Sequence, residues 1–258
     1  NPRRQMISTE IVNKFDFEQL PGIYAKLYPG ANGFVFTFVG NIDPETLKPL
    51  VEKYIGSIPA ARKPINYVDD KAYPVKGEVT EEFTAPMQVS VNYHFSGEMP
   101  YTLKNKMALT FLTQALNSRY LVSIREEKGG TYGVRVQGST KYIPRETYSM
   151  TISFDTNEEM ADELREIVMK EIEEIAANGP KSEDIEKNRE FMLKSWKNSL
   201  EQNGAWMSYI QIKYGSGLNY IADHEQAIRD LTNADVQALA KKILADGNLV
   251  KVVMRPSK

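Results

Sequence analysis

QVSVNYHFS, residues 88–96, alternates without a break. Val89, Val91, Tyr93 and Phe95 fall on one side of an extended chain, and Gln88, Ser90, Asn92, His94 and Ser96 fall on the other. A period of two with one apolar and one polar side is the pattern of a strand whose sheet is covered on a single face. TYSMTISFD (147–155) repeats it, with Tyr148, Met150, Ile152 and Phe154 opposing Thr147, Ser149, Thr151 and Ser153. TYGVRVQG (131–138) places Tyr132, Val134 and Val136 on a common face, GEVTEEFTA (77–85) adds a further strand, and NLVKVVMRP (248–256) closes the chain as another. The prediction is an α+β fold: an antiparallel sheet with helices packed on one face.

Between these strands the period lengthens. PYTLKNKMALTFLTQALN and SRYLVSIREEK predict two helices between the second and third strands. In EEMADELREIVMKEIEEIAANGP, Met160, Leu164, Ile167, Val168, Ile172 and Ile175 form one stripe that stops at Asn178-Gly179-Pro180. Ser182 is placed to cap the next helix, and Thr232, with Asp235 three residues on, to cap the last long one.

The first sixty residues read differently. Asp16 is a candidate N-cap for FEQLPGIYAKLY, with Pro21 about a turn inside it. GFVFTFVG (33–40), rich in Phe and Val, predicts a buried strand. In NIDPETLKPLVEKYIGSIP, Asp43 caps a helix, Pro44 takes its first position and Gly56 closes it, with Leu47, Leu50, Val51, Tyr54 and Ile55 as the apolar stripe. A lone strand and two helices cannot bury their own faces. Residues 1–62 are therefore expected to be the C-terminal portion of a preceding domain. Residues 63–74, within the proline-interrupted stretch PAARKPINYVDDKAYP, are expected to be a linker, and 75–258 a complete domain.

Composition narrows the partners. A net charge of −2 over 258 residues lacks the basic excess of a nucleic-acid binder, and no apolar run approaches the roughly 18–20 residues of a membrane helix. Neither nucleic acid nor membrane insertion is expected. With no cysteine, disulfides, thiolate metal sites and a cysteine nucleophile are excluded. The chain begins NPRRQ, without methionine, and is expected to be a piece of something longer. The compartment stays open; a preceding signal peptide would make it periplasmic or exported.

Few residues offer chemistry. His94 and His224 are the two histidines, 130 positions apart. HEQAI has Ile228 where a zinc-protease helix needs a second histidine, and HFSGE lacks the inverted arrangement H-x-x-E-H. Both are expected to be ordinary surface or capping residues, so this chain supplies no metal site. There is no G-x-S-x-G elbow, and Ser216 in YGSGLN is expected in a loop. Nucleotide-binding glycine motifs are absent, helix-face carboxylates should be solvated, and Trp196 and Trp206 should pack in the core. SIREEKGGTYGV (123–134) remains. Arg125 and Tyr132 stand seven residues apart with Gly129 and Gly130 between them. The residues alone leave two readings open. Arg125 can pair with Glu126, Glu127 or a helix C-terminus while Tyr132 packs in the core, or a guanidinium and a phenol can converge as donors on one point.

FVFTFVGNIDPETLKPLVEKYIGSIP resembles the segment that closes the first domain of each half in the M16 zinc metallopeptidases, the insulinase, pitrilysin and mitochondrial processing peptidase family. LNSRYLVSIREEKGGTYGVRVQGS resembles the stretch that carries that family's arginine–tyrosine pair, and EIEEIAANGPKSEDIEKNREFMLKSW the helix–turn–helix after it. The similarity runs over about residues 8–258. It implies α+β domains paired into halves that close around an unfolded or short peptide. Zinc would be held by H-x-x-E-H in the other half, whether on the same polypeptide or on a partner chain. Lacking H-x-x-E-H, this chain would be the C-terminal, non-metal-binding part, inactive alone and with no cofactor of its own. Arg125 and Tyr132 would stabilise negative charge on the substrate carbonyl, and Gly129 and Gly130 would form the turn between them. The alternatives are a non-catalytic structural or partner subunit, or a peptide-binding module.

Overall fold

The computed structural model describes residues 5–61, 68–69, 73–74, 76–85, 87–129, 131 and 133–256. The chain forms two compact units, residues 1–72 and 73–258.

In the first unit, α1 (Thr9–Asn13) precedes a 3₁₀ turn (Phe17–Gln19), α2 (Leu20–Leu27) and α3 (Pro44–Tyr54). Asp16 caps as expected, but what it caps is the 3₁₀ turn, accepting from the Glu18 N–H at 3.0 Å. The α-helix proper begins afterwards, so Pro21 falls at its start, where a missing N–H is harmless. Asp43 caps α3 through the Glu45 N–H (3.1 Å) and the Thr46 hydroxyl (2.7 Å), with Pro44 in the first position.

The buried strand expected at 33–40 does not form. The segment makes no ladder among the described residues, and Phe34, Val35, Phe36 and Phe38 are all exposed. A strand exists only with a partner, and this one, apolar on both faces, needs neighbours on both sides. Residues 5–61 contain none. For the same reason Leu50 and Tyr54, on the α3 stripe, face solvent.

The second unit carries a five-stranded sheet from β1 (Glu78–Ala85), β2 (Val89–Glu98), β3 (Val134–Lys141), β4 (Thr147–Thr156) and β5 (Leu249–Pro256), in the order β1-β5-β2-β4-β3. The α+β architecture is the one expected. The sheet is mixed, because β1 lies parallel to β5 while the other neighbours are antiparallel. Parallel neighbours need a long crossover, and nearly the whole unit lies between these two strands. The alternation decides the layering. Val89, Val91, Tyr93 and Phe95 of β2 and Tyr148, Met150, Ile152 and Phe154 of β4 are buried against helices, while Ser149, Thr151 and Ser153 lie on the opposite side.

Six helical segments build the covering layer: α4 (Leu103–Tyr120) with a π-helical turn (Leu121–Glu126), α5 (Ala161–Asn178), α6 (Ser182–Ser199), α7 (Asn203–Ser216), α8 (Tyr220–Asp230) and α9 (Asn233–Asp246). The two helices expected between β2 and β3 are one continuous run, since nothing in LNSRYL breaks a helix. α5 buries Leu164, Val168, Ile172 and Ile175 and stops at Gly179, whose φ of 80° lies in the region that favours glycine. The Thr232–Asp235 capping box forms as expected. Ser182 does not cap. Lys181 occupies that position, and the Ser182 hydroxyl accepts instead from Asn233 Nδ2 at 2.9 Å. Ser216 is not in a loop. It ends α7, donating to the Ile212 carbonyl, and Gly217 supplies the left-handed cap.

Neither histidine is a surface or capping residue. His94 is half-buried within β2, its Nδ1 3.0 Å from Thr151 Oγ1 on the adjacent strand. His224 stacks on Tyr220 (4.8 Å) and lies 4.6 Å from Trp196, in a cluster that includes Tyr209, and its Nδ1 is buried with no hydrogen-bond partner. Trp196 packs in the core; Trp206 is half-buried, and its indole N–H donates to the Leu200 carbonyl at 2.7 Å. Burial, with the nearby Lys106 charge, pushes the His224 pKa down to about 4.

A stability dependence follows. The unfolded chain takes up this proton near pH 6.5 and the folded chain only near 4, so the stabilisation is complete above 6.5 and is lost as pH falls through that window. His94, also lowered by burial, adds a smaller effect of the same sign. His224→Phe keeps the stack and removes the titration, so its melting temperature should fall less than that of the parent chain between pH 7 and 4.5. Parallel curves for the two proteins would refute the assignment.

Candidate functional site

The α4–π run brings Arg125 to the surface with Leu121, Val122, Glu126 and Glu127, while Tyr120 and Ile124 are held inside. Tyr120 is fully buried and its hydroxyl donates to the Val168 carbonyl of α5 at 2.9 Å; burial raises its pKa well above the ordinary phenol range. Arg119 Nη1 meets Glu171 Oε2 of α5 at 2.7 Å. Ile124 is fully buried. Arg125, next in sequence, is exposed, and its guanidinium enters no hydrogen bond or ion pair among the described residues. It therefore does not pair with Glu126 or Glu127.

The chain then turns. The Glu127 N–H reaches back five residues to the Val122 carbonyl (3.0 Å), and the Gly129 N–H reaches the Arg125 carbonyl (3.1 Å). Gly129 has φ +64°, and a Cβ there would meet nothing within 4 Å. The constraint is backbone handedness rather than space. Lys128 pairs with Glu163 of α5 at 2.6 Å, which raises its pKa through the hydrogen bond to that carboxylate. The Thr131 hydroxyl meets both the N–H and the carbonyl of Gly133 (3.2 Å each) just before β3 begins at Val134. Gly130 and Tyr132 lie outside the described residues.

This turn borders a cavity of about 600 Å³ at one end of the sheet. Gly129, Thr131 and Gly133 line one wall, Asp155 and Glu158 another, and Gln88 and Pro256 complete it. Both carboxylates already have partners: Asp155 accepts from the Ser90 hydroxyl (2.5 Å) and Glu158 from Arg255 Nη1 (2.6 Å). The arrangement offers a free guanidinium, itself outside the cavity lining, beside a turn that opens on a cavity of mixed polar and apolar lining. It can donate to an oxygen, but it offers no base. Nor does it suit zinc. Among the described residues no group of three or more histidines and carboxylates could hold a metal ion, and the two histidines lie on a strand and in an aromatic cluster. Among the described residues no helix is long and apolar enough to cross a membrane.

The family model described as peptidase M16 inactive domain matches residues 14–192. A zinc protease PQQL-like protein of Arabidopsis thaliana is 26% identical over 201 residues, 71% of this chain and 21% of that protein. A probable zinc protease PqqL of Escherichia coli (strain K12) is 25% identical over 229 residues, 85% of this chain and 24% of that protein. The chain thus spans between a fifth and a quarter of the length of these relatives. The crystal structure of a peptidase M16 inactive domain from Pseudomonas fluorescens superposes with a TM-score of 0.77 at 19% identity, covering 97% of this chain and 60% of that one, a likeness of fold.

Proposed function

The chain belongs to the peptidase M16 family, as an inactive-domain member, and from that premise we propose that it serves a zinc metalloendopeptidase as its C-terminal, non-metal-binding part. Residues 75–258 form a complete domain that walls part of a substrate chamber, 1–62 are the tail of the domain before it, and 63–74 link them. Arg125 and Tyr132 donate to the carbonyl oxygen of a bound peptide as it gains negative charge. Gly129 and Gly130 set the turn between them. Zinc belongs to a half carrying H-x-x-E-H, on the same polypeptide or a partner chain, and that half supplies the hydrolytic chemistry.

One observation carries the reading: the guanidinium of Arg125 is exposed and unengaged at the end of a helix whose adjoining residues are tied down. The exposed Phe34, Phe36 and Phe38 support the view of the first unit as a domain tail, since a strand of that composition is built to be buried.

The test is reconstitution. The 258-residue chain alone should hydrolyse no peptide and bind no stoichiometric zinc. Mixed with a zinc-bearing half, it should raise peptide turnover well above that of the half by itself. Hydrolysis by the isolated chain, or no gain on mixing, would overturn the proposal.

A further inference from the structure

At the base of the excursion that carries Arg125, and in sequence Tyr132, one side chain makes two hydrogen bonds between α4 and β3. Asn117 of α4 donates from Nδ2 to the Val136 carbonyl (3.1 Å) and accepts at Oδ1 from the Val136 N–H (2.9 Å). β3 is an edge strand, with β4 on its only paired side. The Asn117 amide therefore stands where a further strand would pair. Among side chains of this length only a carboxamide supplies donor and acceptor together in that geometry.

The contact lies between two fixed levels of α4. Ala115 and Leu116 are buried just before it, and Arg119 and Tyr120 anchor to α5 just after it. The end of α4 is thus held on two sides, by α5 through Arg119 and Tyr120 and by β3 through Asn117. The α5 contacts fix the helix end. Asn117 ties that helix to the strand at the end nearest the glycine turn; further along, Lys106 Nζ of α4 donates to Thr140 Oγ1 of β3 at 3.0 Å.

We propose that Asn117 is a positioning residue: by locking β3 to α4 it sets where the glycine turn and its flanking strand stand relative to Arg125. This deepens the reading of Arg125 given above and rests on it. The competing account is that Asn117 only satisfies an edge and contributes to the fold.

The experiment uses the complete zinc-bearing protein, with Asn117→Asp and Asn117→Leu made alone and in an Arg125→Lys background. Asn117→Asp keeps the acceptor but turns a carboxylate oxygen toward the Val136 carbonyl; Asn117→Leu removes both bonds at similar size. Each should lower kcat about tenfold with KM changed by less than about twofold, and should cost less than about twofold once Arg125 is lysine. Amide exchange over residues 126–133 should quicken about tenfold while β4 and α5 keep their protection.

Equal losses in both backgrounds, or slowed turnover with unchanged exchange, would overturn the positioning role and leave Arg125 in place. Full turnover by Arg125→Lys alone would instead overturn the role of Arg125, and that of Asn117 with it. If Asn117→Leu does not fold, Asn117→Asp decides between these outcomes.

Discussion

Tyr132→Phe, in a complete zinc-bearing protein, lowers kcat by about 10²-fold, the cost of one lost donor to a developing oxyanion. The change removes a single O–H and little volume. If that O–H is used only as the carbonyl oxygen becomes negative, ground-state binding is untouched and KM stays near its starting value. Arg125→Lys should fall in the same direction. It keeps the charge but loses the planar fork that holds an oxygen from two sides. Among the described residues Arg125 has no ion pair to break before it can turn to substrate, so only hydration and side-chain freedom oppose its use. Steady-state kinetics on one unfolded peptide at saturating concentration checks both variants. Undiminished kcat in Tyr132→Phe would remove the phenol from the mechanism. Undiminished kcat/KM in Arg125→Lys would reduce the guanidinium to a simple charge.

What was legible in the sequence was local. β2 and β4 announce themselves because a period of two survives any tertiary arrangement, and the Thr232–Asp235 box because both of its bonds lie within four residues. Gly129 is legible in the same way, as a glycine after a helical run. What failed depends on distant partners. Residues 33–40 have the composition of a buried strand, but composition does not supply the neighbours. The parallel pairing of β1 with β5 joins strands about 170 residues apart, and no local signal encodes it. His224 looks like a solvated helix residue until Trp196 and Tyr220 close over it.

The site divides along the same line. Spacing around the glycines draws attention to Arg125 with Tyr132, but the residues alone leave it either ion-paired or aimed as a donor, and only the resemblance to a family favours the second. Asn117 was passed over, since an asparagine late in a helical run reads as a helix end. Its pair of hydrogen bonds to Val136 spans 19 residues and appears only when the strand is laid against the helix.

Arg189 was missed for a related reason, and its replacement should carry the largest stability cost among these predictions. α8 ends at Asp230, and Leu231 after it is extended, so no backbone N–H returns to satisfy the last carbonyls. Arg189, reaching across from α6, does so. Its Nη1 donates to the carbonyls of Ile228 and Arg229 (2.8 Å to the latter) and its Nη2 to that of Leu231 (2.8 Å). Ile228 and Leu231 are buried, so water is a poor substitute there. A cation at a helix C-terminus also meets the negative end of the dipole. Arg189→Met keeps the stem and removes every donor. Charge-assisted bonds contribute about 1.5–3 kcal/mol each and do not add, so a loss of about 3 kcal/mol is expected. That corresponds to a melting temperature lower by roughly 6–12 °C for a unit of this size. Arg189→Lys should recover only part, because one ammonium cannot span the carbonyls that a fork reaches. Glu186→Gln should change almost nothing, since that carboxylate is largely solvated. A melting curve of Arg189→Met within about 1 °C of the parent would mean that packing alone closes α8. The loss should spread, because α8 packs on both α4 and α6, and α4 carries Arg125. The same variant in a complete zinc-bearing protein should therefore lose turnover at temperatures below its melting point.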